Sequence, residues 1–134
     1  TWQALPEIAD ETVLLDKWGK LRAYRAEVTK ALEDLRIAGK IGSSLQAEVT
    51  LYADGEKYAL LASLGDDLRF VFICSKTTLV RSAEDRIVCA PLAYTKCERC
   101  WHVREDVGAD PAHPEICGRC VSNLYGDGEL RACA

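Results

Sequence analysis

Between residues 13 and 38 the apolar side chains recur at helical spacing. Leu14, Trp18, Leu21, Val28, Leu32 and Leu35 are separated by three, four or seven positions, which predicts one long amphipathic helix. Gly39 is its natural stop, because glycine takes the left-handed C′ conformation without steric cost. Residues 1–12, with Pro6 and mixed polar side chains, read as a lead-in, and residues 40–44 as a Gly/Ser linker. The period then changes to two: Ala47, Val49 and Leu51 alternate with Glu48, Thr50 and Tyr52, the pattern of a half-buried strand. Asp54 is placed to cap a short helix reaching Leu64, with Tyr58, Leu61 and Leu64 on one face, and residues 65–67 (Gly-Asp-Asp) turn the chain. Residues 68–74 are apolar except for Arg69 and predict a central strand. Two further short strands are expected at 77–80 and 86–90. The expected order is β-α-β-β-β, a small mixed sheet with one packed helix. Cys74 and Cys89 fall in those strands and read as core, since a buried cysteine behaves as a small hydrophobe.

A different regime begins at Lys96. Apolar periodicity fades, while glycine and proline become frequent (Gly108, Pro111, Pro114, Gly118, Gly126, Gly128). Such a segment lacks the apolar area for a core of its own and needs a staple. Four cysteines supply one. Cys97-Glu98-Arg99-Cys100 is followed after sixteen residues by Cys117-Gly118-Arg119-Cys120. Each C-x-x-C turn presents two thiolates, and the intervening loop returns the second pair to complete a tetrahedron around one zinc ion. Four sulfur ligands leave no open position, so the site is read as structural. The competing reading, two redox-active C-x-x-C pairs, calls for a thioredoxin-like βαβ setting, and these pairs sit in a turn-rich tail. His102 and His113 are not needed as ligands. His113, between Ala112 and Pro114, is expected in solvent, and Cys133 is expected to be a free thiol. Arg99 and Trp101 flank Cys100 on a turn that the metal would hold rigid. Together they suit an unpaired RNA base, by hydrogen bonding and stacking; the spacing alone favours the plainer reading, in which Trp101 covers the sulfurs.

Composition narrows the class. The chain of 134 residues is 49% hydrophobic and 28% charged, so it can bury a core, and its net charge of −4 supplies no global field for nucleic acid. Any RNA contact must be local. Lys17, Lys20, Arg22, Arg25, Lys30 and Arg36 outnumber Asp16, Glu27, Glu33 and Asp34 along the long helix. That surplus describes a solvated face and permits contact with a phosphate backbone. No apolar run reaches the about 20 residues of a membrane span, and no secretory leader is legible. Seven cysteines, an odd number, fit a reducing compartment with a metal site better than a disulfide scaffold. The chain starts at Thr1 and has no methionine, which reads as a piece of a longer protein.

The motifs CERCWH, EICGRCVSN and GDGE within residues 96–129 resemble the C-terminal zinc-binding segment of bacterial isoleucyl-tRNA synthetases. Upstream, KALEDLRIAGKIGSSLQAEV and DDLRFVFICS resemble the part of those enzymes that follows the helical anticodon-binding domain. The resemblance covers nearly the whole chain and implies an α+β fragment in three parts. Residues 1–44 would be an amphipathic helix and linker from the end of the anticodon-binding region, 45–95 a small α+β unit, and 96–134 a four-cysteine, zinc ribbon-like tail. It implies a cytoplasmic, monomeric parent that joins isoleucine to tRNA(Ile) with ATP and Mg²⁺. The parent's catalytic and editing domains would lie outside this chain, whose sequence contains neither a HIGH- nor a KMSKS-type signature. The partners implied are tRNA(Ile), touched at its anticodon end by Arg99 and Trp101, and the rest of the synthetase; no membrane is implied. The same cysteine spacing occurs in formamidopyrimidine-DNA glycosylases, but those begin with a Pro-Glu pair where this chain has Thr1 and Trp2. A stand-alone zinc-ribbon interaction module is the third reading.

Overall fold

The structure is a computed structural model that describes residue 3 and residues 6–131. Cys133, expected as a free thiol, lies outside the described residues. Helix α1 (Glu11–Ile37) leads into a short 3-10 turn and strand β1 (Ala47–Ala53). Then come α2 (Gly55–Ala62), a 3-10 turn at Gly65–Asp67 and α3 (Leu68–Phe72). Strands β2 (Lys76–Arg81) and β3 (Arg86–Pro91) complete the body. The remaining segment contains a two-stranded ribbon, β4 (Thr95–Lys96) and β5 (Val103–Arg104), and helix α4 (Gly118–Tyr125). The class is α+β, as the hydrophobic pattern predicts.

Helix α1 ends as expected. Gly39 sits at φ +70°; its N–H donates to the Arg36 carbonyl, and the Lys40 N–H donates to the Leu35 carbonyl. This pair of bonds is the Schellman closure, which satisfies carbonyls that the helix leaves open. Leu21, Val28 and Leu32 face inward, whereas the first turns of α1 are exposed. Lys20 pairs with Asp16 and Glu56, and Arg36 with Glu33, so part of the positive surplus on this helix is already neutralised.

Strand β1 is the middle of the sheet. It runs parallel to β2 and antiparallel to β3, with Val49 opposite Thr77 on one side and Cys89 on the other. Its alternation is the one read from the sequence: Ala47, Val49, Leu51 and Ala53 are buried. They join Leu21, Val28, Leu32, Leu61, Leu64, Leu68, Phe72 and Cys74 in one cluster. Asp54 takes the N-cap position of α2 without bonding the helix as a side-chain cap. Its carboxylate instead accepts from Arg81 Nε at 2.8 Å.

One expected element is corrected. Residues 68–74 are not a strand; Leu68–Phe72 is a helix, and the order is β-α-α-β-β. A continuous apolar run has no period that separates strand from helix, and both edges of β1 are taken by β2 and β3. Coiled as a helix, the run buries Leu68 and Phe72 four positions apart on one face and turns Arg69 to Asp66. Ile73 closes it in the left-handed region at φ +53°. Cys74 therefore lies in the turn before β2. It is nevertheless core, as is Cys89 on β3. Burial pushes both thiols up, Cys89 to about 11, so neither supplies a reactive thiolate near neutral pH.

Candidate metal centre

The first cysteine pair sits on a knuckle between β4 and β5. The Cys97 N–H donates to the His102 carbonyl and the Trp101 N–H to the Cys97 carbonyl, both at 2.9 Å. These bonds curl residues 97–102 so that the two thiols point the same way. The second pair is set by α4: Cys117 is its N-cap residue, and Cys120 lies one turn on. The Cys117 N–H donates to Cys97 Sγ at 3.4 Å, tying the knuckles together. Thiolates at a helix N-terminus also gain from the aligned backbone dipoles.

The four Sγ atoms lie within 4.8 Å of one another. Cys97–Cys120 and Cys100–Cys117 are each 3.7 Å apart. A tetrahedron with metal–sulfur bonds of about 2.3 Å has edges of roughly 3.8 Å, whereas a disulfide requires about 2.05 Å. The spacing fits a shared ion and excludes either disulfide. Charge leads to the same choice: two thiolates at this separation repel by on the order of 4 kcal/mol at an effective dielectric of about 20, so four ionised sulfurs need a cation among them. Cys97, Cys117 and Cys120 are fully buried, with Cys100, Val107 and Ile116 packed on them. Burial opposes ionisation of Cys97, but the N–H groups of Cys100, Cys117 and Arg99 outweigh it and bring this thiol down to about 6. Burial pushes Cys117 up to about 12. Cys97 is thus poised as a thiolate, while burial makes Cys117 and Cys120 resist charge until a metal supplies the counter-charge.

Around the sulfurs lies a shell that the spacing of the cysteines does not reveal. Asp106 accepts two bonds from Arg104, at 2.7 and 2.9 Å, and a third from the Gly118 N–H at 3.2 Å. It therefore ties the long loop to the first turn of α4. A Cβ on residue 118 would stand 3.0 Å from that carboxylate, which explains a glycine between the second pair of cysteines. Glu129 gathers Arg119, Arg131 and Asn123, folding the GDGE turn back against α4. Arg131, Arg69 and Arg119 then surround the Phe70 ring of α3, with guanidinium carbons 4.0, 4.8 and 5.3 Å from its centroid. The His102 ring meets Phe70 edge-on at 6.1 Å.

Ser75 makes the second joint between this segment and the body. Its hydroxyl donates to the Leu45 carbonyl and accepts from the Val103 N–H at 2.7 Å, with the residue 4% exposed. Ser75→Ala is expected to destabilise the fold by about 1–3 kcal/mol, because it strands the buried Val103 N–H and leaves the half-buried Leu45 carbonyl without this donor. Urea unfolding measures that loss, and hydrogen exchange at Val103 should show where it is felt.

The remaining residues singled out in the sequence separate into two groups. Trp101 is 62% exposed and is absent from the side chains packed on the cysteines, so it does not cover the sulfurs. Its backbone is held at φ +65°, a conformation that costs a non-glycine residue about 1–2 kcal/mol. The Lys96 ammonium lies 5.6 Å from its ring centroid. Arg99 is exposed along its length but brings Nη1 to 3.6 Å from Cys120 Sγ, where it offsets thiolate charge. Neither histidine joins the sulfur cluster. His113 is not simply solvated: its ring stacks on Tyr125 at 4.0 Å and 2°.

Residues 96–123 match the family described as a zinc finger found in FPG and IleRS. Over 99% of its length the chain is 62% identical to an isoleucine–tRNA ligase of Dechloromonas aromatica. The chain is homologous to a segment of the isoleucine–tRNA ligases. Identity is 61% over 98% of the chain to the Bordetella avium ligase, and 59% over 98% to that of Thiobacillus denitrificans. The chain spans about 14% of the length of these curated relatives. The homology covers the body as well as the finger, so the joint at Ser75 and Phe70 lies inside the matched ligase segment.

Proposed function

We propose that this chain is the C-terminal tRNA-handling segment of an isoleucine–tRNA ligase, shaped by one structural zinc ion on Cys97, Cys100, Cys117 and Cys120. Arg99 and Trp101 then contact the anticodon end of tRNA(Ile). The observation that carries the RNA reading is Trp101: a large aromatic ring, exposed and held at positive φ, on a turn braced by the metal ligands. Strain of this kind persists where the surroundings impose it and is often tied to function. A rigid exposed ring is also what stacking on an unpaired base requires. The parent enzyme, working in the cytoplasm as a monomer, would join isoleucine to tRNA(Ile) with ATP and Mg²⁺ bound in domains outside this chain. The chain by itself would bind RNA without catalysing that reaction.

The three-part division at 44/45 and 95/96 belongs to the same proposal. Two separate clusters of buried side chains support the second boundary. At the first, α1 shares its core with the sheet, so that boundary marks a change of segment and not of core. The glycosylase alternative shares only the finger, whereas the ligase homology runs along nearly the entire chain.

The test is binding of a labelled anticodon stem-loop of tRNA(Ile), compared with the same hairpin carrying a permuted anticodon. Tighter binding of the cognate loop is expected. Equal binding of both hairpins would refute base contact by Arg99 and Trp101.

A further inference from the structure

The body and the finger border a half-open cavity of about 190 Å³ at their seam. One wall comes from the turn before α3 and from the start of β2, the other from β5 and the residues after it, and the linker carrying Tyr94 runs along the rim. Drug-sized pockets run to roughly 300–1,000 Å³, so this space suits a smaller group. Three cations line it, but each is matched by an acid: Arg69 with Asp66 at 3.1 Å, Arg104 with Asp106 at 2.7 Å, and Lys76 with Glu48 at 3.6 Å. A bare phosphate would find little unmatched positive charge. What the walls offer is a mixture of guanidinium and ammonium donors with carboxylate acceptors, Glu105 among them, beside the exposed Tyr94 ring. An unpaired nucleobase asks for that combination: a neutral polar edge read by donors and acceptors together, and a π face to stack on.

Position adds a second reason. In the ribbon Thr95 pairs with Arg104 and Lys96 with Val103, so Tyr94 and the cavity lie at its open end and the Trp101 knuckle at the other, and the Lys96 ammonium stands 5.6 Å from the Trp101 ring. Tyr94, Lys96 and Trp101 therefore follow one another along the ribbon from the cavity to the turn assigned to base stacking. We propose that the cavity receives a second unpaired base of the same RNA strand, adjacent to the base on Trp101. The cavity has walls from both units, so the Ser75 bridge and the Phe70 contacts that dock the finger also assemble it.

This inference rests on the RNA-binding reading, and one titration distinguishes their failures. The ¹⁵N-labelled chain is titrated with the anticodon stem-loop of tRNA(Ile) and, separately, with inorganic phosphate. The stem-loop is expected to shift the amides of Thr77, Tyr94 and Glu105 together with that of Trp101. Tyr94→Ala and Glu105→Ala, both at exposed positions, should each weaken stem-loop binding about fivefold or more, the low end for one stacked base, with the remaining spectrum unchanged. If Trp101 shifts and the cavity amides do not, or if both variants bind like the parent chain, the second-base site is wrong and the Trp101 reading stands. Shifts of the cavity amides by phosphate alone would make it an anion site and also overturn the inference. If the stem-loop shifts nothing, both readings fall.

Discussion

Cys120→Ser is expected to unfold the finger from residue 96 onward while leaving the three-stranded sheet intact. The asymmetry follows from what each unit buries. The body has thirteen buried hydrophobic residues in one cluster, spread over α1, β1, α2, α3 and the turns between elements. The finger's cluster consists of Cys97, Cys117 and Cys120, with only Cys100, Val107 and Ile116 packed against it. Those few side chains cannot offset the ordering cost of more than thirty residues at about 1–2 kcal/mol each for the backbone alone. A structural zinc ion contributes on the order of 10–16 kcal/mol in finger peptides, the scale of contribution the finger lacks. Serine is a poor zinc ligand, and its hydroxyl would also lose the Arg99 contact that Cys120 makes at 3.6 Å. In the amide spectrum, signals from residues 97–125 should collapse to random-coil positions while those of Val49 and Leu51 stay in place. A chelator should reproduce the result on the unmutated chain. Acid should act in the same direction, because thiols must lose protons to bind the metal and affinity falls as pH falls. A finger that keeps its dispersed signals without metal would show that the sulfurs only fill space.

How much of this is legible in the sequence depends on whether a pattern is local. The α1 period, the Gly39 stop and the alternation of β1 each arise within one element, and each appears in the structure where the pattern puts it. The cysteine spacing is legible because a C-x-x-C turn and a return loop leave few ways to arrange four sulfurs. Residues 68–74 mislead because a nearly continuous apolar run carries no clear period, and its form shows only where Leu68 and Phe72 enter the core from one helical face. Reading that run as a strand also hides Phe70 and its part in holding the finger. Ser75, Asp106 and Glu129 leave no signal, since a single polar residue announces nothing until the fold brings its partners within hydrogen-bond distance. Trp101 is half legible. Its neighbours suggest a role, but choosing between covering the sulfurs and facing solvent needs the positive φ that turns the ring outward.

Trp101 is the position where stability and binding are expected to move in opposite directions. Trp101→Gly removes the cost of holding an L side chain at φ +65°, about 1–2 kcal/mol, and exposes no buried surface because the ring is already 62% accessible. The variant should be at least as stable as the parent chain toward urea, with some of the gain returned to the greater backbone freedom of glycine when unfolded. Its affinity for the anticodon stem-loop should fall by about 1–3 kcal/mol, the usual worth of one stacked base, or about five- to 150-fold. Trp101→Phe keeps a π face and should retain much of the binding, whereas Trp101→Ala should lose it while keeping the strained backbone. Arg99→Lys separates the two tasks of its neighbour: it preserves a positive charge near Cys120 but gives up the planar guanidinium that can stack on or bond a base edge. Each variant is measured twice, by unfolding and by stem-loop binding. A glycine variant that binds RNA normally would remove Trp101 from the interface. A glycine variant that is markedly less stable would mean the ring supports the knuckle after all. Loss of binding with undiminished stability is the outcome that a purely structural tryptophan cannot produce, and it is the one expected of a residue kept strained for the sake of its exposed face.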